Sequence, residues 1–115
     1  MDFTLYKNEM PCPVKPSRPA YPGRNADGAT HRQYADLLDA YNLEMDTTYR
    51  MAVADYNKEQ SRLDELFKQD SLRESGLSDH PKKDKIYSRA WEDGHADGYY
   101  AVFYRLQDLA ELFLD

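Results

Sequence analysis

From residue 30 to residue 75 the chain contains neither proline nor glycine. These two residues are the usual interrupters of a helix. Proline loses its amide and clashes with the preceding turn, and glycine has too much backbone freedom. Apolar side chains in this stretch recur three or four positions apart: Tyr34, Leu37, Leu38, Tyr41, Met45, Tyr49, Ala52, Val53, Tyr56, Leu63, Leu66 and Phe67. That is the period of an α-helix, whereas a strand alternates. The stretch predicts one helix of about 45 residues, about 65 Å long at 1.5 Å per residue. Thr30 and Gln33 match a capping box at its start. Residues 34–44 and 49–59 echo each other at an offset of fifteen, through Tyr34/Tyr49, Tyr41/Tyr56, Asn42/Asn57 and Glu44/Glu59. Fifteen residues is close to four helical turns, so the echo keeps one face and reads as a packing rhythm, not a repeat architecture.

Gly76 is a natural stop, and Ser78-Asp79-His80-Pro81 a natural restart, since a proline in the first helical turn loses no hydrogen bond. A second helix is predicted over 81–113, with Ile86, Tyr87, Ala90, Trp91, Val102, Leu106, Leu109, Leu112 and Phe113 on its apolar stripe. Lys82, Lys83 and Lys85 oppose the dipole preference at a helix start. They are better placed to answer acids of the first helix or of a partner. Two helices joined by a short loop fold back as a hairpin.

Residues 1–29 read as an extended arm. Five of the six prolines lie there, and Pro13, Pro16, Pro19 and Pro22 are spaced by three. Three residues make one turn of a polyproline II helix, so these rings form a single ridge. Gly23, Asn25, Asp27 and Gly28 make a turn-rich joint before the first helix. The expected architecture is therefore all-α: an antiparallel hairpin of two long helices (about 31–75 and 81–113, within 30–115) behind an N-terminal proline-rich extended arm (1–29). A two-helix hairpin covers one stripe of each helix, too little for about twenty large apolar side chains. The arm should pack along the groove, and the chain should pair with itself as a homodimer. Ten tyrosines, each an apolar body with a polar tip, suit surfaces that are half core and half interface.

Charge and composition narrow the function. Fifteen Lys and Arg against twenty-one Asp and Glu give −6, and from Glu92 onward six acids face Arg105 alone. Such a surface disfavours nucleic acid. Imitation of DNA by rows of carboxylates is also disfavoured, because Arg50, Lys58, Arg62, Lys68 and Arg73 interrupt the rows. The single cysteine, Cys12, excludes an internal disulfide and a cysteine-rich zinc site. No apolar run approaches the length of a membrane span, and no basic start leads into an apolar stretch as in a secretory signal. A cytoplasmic protein is expected.

Chemical motifs are sparse. The segment Ala90-Trp91-Glu92-Asp93-Gly94-His95-Ala96-Asp97-Gly98-Tyr99 places Ala90, Gly94 and Gly98 at intervals of four. Each glycine inside a helix costs about 1 kcal/mol against alanine. A close crossing of helices at this bare strip is the favoured compensation; a ligand pocket and a helix break are the alternatives. Asp93, His95, Asp97 and Gly98 resemble the front of a calcium loop, but His95 and Tyr104 occupy positions that require oxygen ligands. Cys12, wedged between Pro11 and Pro13, has no base held near it, and no phosphate-binding glycine loop, nucleophile elbow or paired-histidine zinc motif occurs. His31 and His80 stand at helix starts, and His95 lies one turn after Trp91. Pro13-Val14-Lys15-Pro16-Ser17-Arg18 fits the pattern read by proline-recognising domains, although a strap on the hairpin is the simpler account. No catalytic residue, cofactor or metal site is expected. The expected protein-interaction residues are Tyr41, Tyr49, Tyr56, Trp91, Asp93, Asp97, Tyr99, Tyr100 and Tyr104, and the expected helix-packing residues are Ala90, Gly94 and Gly98.

His80-Pro81-Lys82, Ala90-Trp91-Glu92-x-Gly94-His95-x-x-Gly98-Tyr99, Val102 and Leu109-x-Glu111-Leu112 together resemble small accessory proteins of tailed bacteriophages. The resemblance implies a phage protein made in the bacterial host cytoplasm and carries no assigned activity. The expected function is stoichiometric binding to a host or defence protein as an inhibitor. A structural or assembly component of the virion is the alternative, and a metal- or nucleotide-dependent enzyme centred on Asp93, His95 and Asp97 a weaker one.

Overall fold

The computed structural model describes residues 1–114. It is all-α, with no strand among the described residues. A proline-rich segment precedes a long helix, and helical structure returns along that helix after the turn at Gly76. Helix α1 runs over Gly28–Glu44, passes through a π-helical turn at Met45–Tyr49, and continues over Arg50–Glu74. Helices α2 (Lys83–Gly94) and α3 (Tyr99–Leu114) follow. No helix among the described residues is long and apolar enough to cross a membrane. The chain divides into two compact units, Met10–Glu59 and Met1–Glu9 with Gln60–Asp115, so the arm is shared between them and makes no body of its own.

In the Met10–Glu59 unit the arm lines α1. Pro13, Pro16, Pro19 and Pro22 are half-buried while the two residues between each pair are exposed. That is the threefold ridge the proline spacing predicts. The half-buried positions of α1 form the matching stripe: Tyr34, Leu38, Tyr41, Met45, Tyr49, Val53 and Tyr56. Tyr21 stands edge-on to Tyr34 at 5.6 Å, and residues 10–14 share a shallow recess with Glu44, Thr48 and Tyr49. The two rises agree: eight polyproline residues cover about 25 Å, and the fifteen helical residues from Tyr34 to Tyr49 about 22 Å.

The π turn explains the offset-fifteen echo. Tyr34 to Tyr41 is seven residues, Tyr41 to Tyr49 is eight, and Tyr49 to Tyr56 is seven. Seven residues keep a face; an eighth would rotate the following stripe away from the arm. The π turn absorbs the extra residue where it occurs. Thr47 assists by donating its hydroxyl to the Leu43 carbonyl at 2.6 Å. The helix also starts earlier than the capping box suggests. Asp27 is the N-cap and accepts the Thr30 amide at 2.7 Å, because a carboxylate one turn upstream takes the role assigned to the Thr30 hydroxyl.

In the other unit, residues 60–74 of α1 pack with α2 and α3 around Phe67, Leu72, Leu77, Ile86, Val102 and Leu106. Residues 1–6 are not extended. Asp2 caps a short 3-10 turn at Phe3–Tyr6, which inserts Tyr6 into this core. Tyr6 donates its hydroxyl to Asp70 at 2.6 Å and meets Phe67 edge-on at 5.3 Å. The second helical stretch is broken, not continuous over 81–113. Residues 95–98 turn the chain, and α3 packs back on α2. Gly98 has φ +118°, which side-chain-bearing residues seldom adopt. A Cβ on Gly94 would lie 2.7 Å from the Val102 amide nitrogen and 2.8 Å from the Ala101 carbonyl carbon. The bare strip does mediate a close crossing, but between the two halves of what the pattern presents as one helix.

Candidate functional site

Trp91 is the organising residue of this second unit. Tyr87, Trp91 and His95 succeed one another at intervals of four along α2 and its end, so they share one face. Trp91 lies nearly parallel to His95, at 5.6 Å and 10° between planes, and to Tyr87, at 6.3 Å and 27°. The His95 ring is fixed by a 2.8 Å contact of its Nδ1 with the Trp91 carbonyl. Across from this ladder, Asp64 projects from α1 and accepts hydrogen bonds from the Tyr99 hydroxyl at 2.5 Å and the Gln60 amide at 3.0 Å. Tyr99 comes from the first turn of α3, so the break at 95–98 is what delivers it to Asp64.

Two recesses flank Trp91. One, of about 450 Å³, lies between Asp64, Glu65, Lys68, Tyr87 and Glu92. The other, of about 320 Å³, is bounded by Gln60, Asp64, His95, Gly98 and Tyr99. Carboxylates beside aromatic faces attract cations, electrostatically and through the ring quadrupole. The protein displays the pairing itself: the Lys68 ammonium stands 5.6 Å from the Tyr87 ring centroid while bridging Asp84 at 3.1 Å. The Tyr87 hydroxyl is buried with no hydrogen-bond partner among the described residues, an uncompensated polar group next to the larger recess. Burial pushes the Tyr87 and Tyr99 phenols up from their ordinary range. The charges of Asp64 and Glu65 add to this at Tyr87, and the Asp64 hydrogen bond adds to it at Tyr99. Both therefore stay neutral.

The expected interaction residues disperse. Trp91 and Tyr99 meet at the recesses. Asp93 faces elsewhere and takes Arg105 at 2.8 Å and Arg89 at 3.9 Å. Asp97 sits exposed in the turn, and Tyr100 and Tyr104 are exposed on α3. Tyr41, Tyr49 and Tyr56 belong to the half-buried stripe of the other unit. Ala90 and Gly94 are buried at the α2–α3 crossing, and Gly98 forms the turn. No group of three His, Cys, Asp or Glu side chains among the described residues is arranged to hold a metal ion. Sequence reasoning overlooked Gln60, Asp64 and Tyr87 as site residues. The available signal was a polar pair, Gln60 and Asp64, spaced by four beside Leu63 and Phe67 on an otherwise apolar face.

Residues 7–114 match a protein family described as "Family of unknown function (DUF8546)". The chain belongs to that family. No curated protein and no solved structure matches it. The DUF8546 match spans the arm, the long helix and both return helices, so it includes every residue of the Trp91 site.

Proposed function

We propose that this DUF8546 member is a non-catalytic accessory protein of bacteriophage type. It acts in the bacterial cytoplasm by binding a host or defence protein stoichiometrically and inhibiting it. The partner contributes a cationic side chain, lysine or arginine, to the Trp91 recesses. The observation that carries this reading is the placement of a half-exposed tryptophan between two open recesses that share the Asp64 carboxylate. Aromatic anchors set in such pockets dominate the energetics of binding surfaces. The Lys68 ammonium beside the Tyr87 ring supports the same reading, since it shows a cation held against this aromatic face.

A tagged chain passed through bacterial lysate is the test. One dominant partner in stoichiometric amount is expected, lost with Trp91→Ala and weakened at least tenfold with Asp64→Asn. Capture of nothing, or capture indifferent to both substitutions, overturns the proposal.

A further inference from the structure

A different face of the same unit carries its own pattern. On the side of the α2–α3 pair away from Trp91 runs a groove of about 510 Å³ whose floor is Ile86, Leu109, Leu112 and Phe113. Leu112 is 75 % exposed and Phe113 43 %, a large apolar outlay for a molecule with this much charge. Lys82, Lys85 and Arg89 form its α2 edge. Lys82 and Lys85 make no ion pair among the described residues. On α3, Asp108 and Glu111 are exposed and likewise make no ion pair there. At 3.6 residues per turn, Asp108 lies about 60° round the helix from Arg105, and Glu111 about 60° further on the same outer side. Arg105 also lines the groove, but Asp93 holds it in an ion pair. Beyond it Asp108 and Glu111 make the outer side of α3 acidic, so across the face the charges run from basic on α2, over the apolar floor, to acidic past Arg105.

The geometry points to a second copy of this chain as the occupant of this groove. A two-fold interface needs one patch complementary to itself. Rotation about an axis parallel to the helices brings the basic edge of one copy over the acidic edge of the other, whereas an axis across the helices sets like charges together. The register supports the first choice. Contacts at Gly94–Val102 and Asp93–Arg105 fix how α2 and α3 run past each other. They place Arg89 level with Asp108 and Lys85 level with Glu111. Because the parallel axis preserves height, these become the pairs formed between copies. Each α2 then lies antiparallel to the α3 of the other copy. Leu112 and Phe113 close the seam of a four-helix arrangement in which every neighbour is antiparallel. This inference is independent of the Trp91 reading.

Sedimentation and light scattering over a concentration series, on the full chain, test it. The wild type is expected at twice 13.4 kDa. Leu112→Asp is expected to weaken self-association at least tenfold, with helical content and melting preserved. Reversing the basic edge (K85E with R89E) or the acidic edge (D108K with E111K) should each give monomers. Mixing the two reversed proteins should give a heterodimer, and combining all four changes in one chain should restore the homodimer. A wild type that stays at 13.4 kDa throughout, including one whose groove takes another protein or a small anionic amphiphile, overturns the proposal. So does a dimer indifferent to Leu112→Asp and to both reversals, or a failure of the reversed proteins to pair.

Discussion

At the scale of single residues, Gly94 and Tyr87 show how little of this site depends on conventional chemistry. Gly94→Ala puts a methyl group 2.7 Å from backbone that no side-chain rotation can move. The α2–α3 crossing must open, and a loss of about 1–3 kcal/mol is expected in denaturant unfolding. Tyr87 and Tyr99 should separate cleanly. Tyr99→Phe removes a hydrogen bond to a carboxylate and should cost about 1.5–3 kcal/mol. Tyr87→Phe removes a hydroxyl that has no hydrogen-bond partner among the described residues and should be neutral or stabilising in the same experiment. The sequence made Trp91, Tyr99 and the two glycines legible, because a large ring and repeated glycines inside a helical pattern both call for an explanation. It did not expose Asp64, since a lone acid on a helix is usually solvated and only the fold brings Tyr99 to it.

At the scale of elements, the long helix and the proline ridge were legible for one reason: each has an intrinsic period, 3.6 and 3, that shows without knowledge of partners. The broken second helix was harder to read. The apolar stripe continues across 95–98 because both halves use it toward one core, so periodicity alone could not mark the reversal. The signal was Gly98, whose backbone sign is invisible in the sequence. The π turn lay between these cases; the echo of fifteen recorded it, but fifteen is also close to four regular turns. The π-turn account makes a sharp prediction. Deleting Thr48 removes the one extra residue, converts the turn to regular helix and leaves Tyr34, Tyr41 and the two later tyrosines at steps of seven. Thermal melting followed by circular dichroism should show a midpoint unchanged or raised. Deleting Ala40 instead should lower it clearly, because that rotates the stripe beyond it by about 100° away from the proline ridge. Equal losses from both deletions would contradict the account.

At the scale of the whole molecule, protonation ties the two ends of the pH range to different parts of the chain. Asp27 and Asp2 are held below the usual carboxylate range by hydrogen bonds from the Thr30 and Thr4 residues they cap. A depressed folded value stabilises above the unfolded value, near 3.9, and the contribution disappears as pH falls through the folded one. Acid should therefore fray the start of α1 and release the 3-10 turn. Phenols behave in the opposite sense. Tyr6, Tyr87 and Tyr99 are pushed well above the ordinary tyrosine value by burial, with the Asp70 hydrogen bond adding at Tyr6 and Asp64 adding at the other two. Below about pH 10 they are protonated whether folded or not, and their contribution is complete. Above it the unfolded chain releases protons that the folded chain retains, so stability falls as pH rises. Because all three rings surround or touch Phe67, their ionisation and the opening of that core must coincide. Tyrosinate absorbance and loss of helical signal should rise together as one cooperative step for these three of the ten tyrosines. Tyr87→Phe should flatten the alkaline decline of the denaturant midpoint without lowering its neutral value. A Tyr87→Phe protein with the wild-type slope above pH 10 would mean that the phenol is not held neutral by this core.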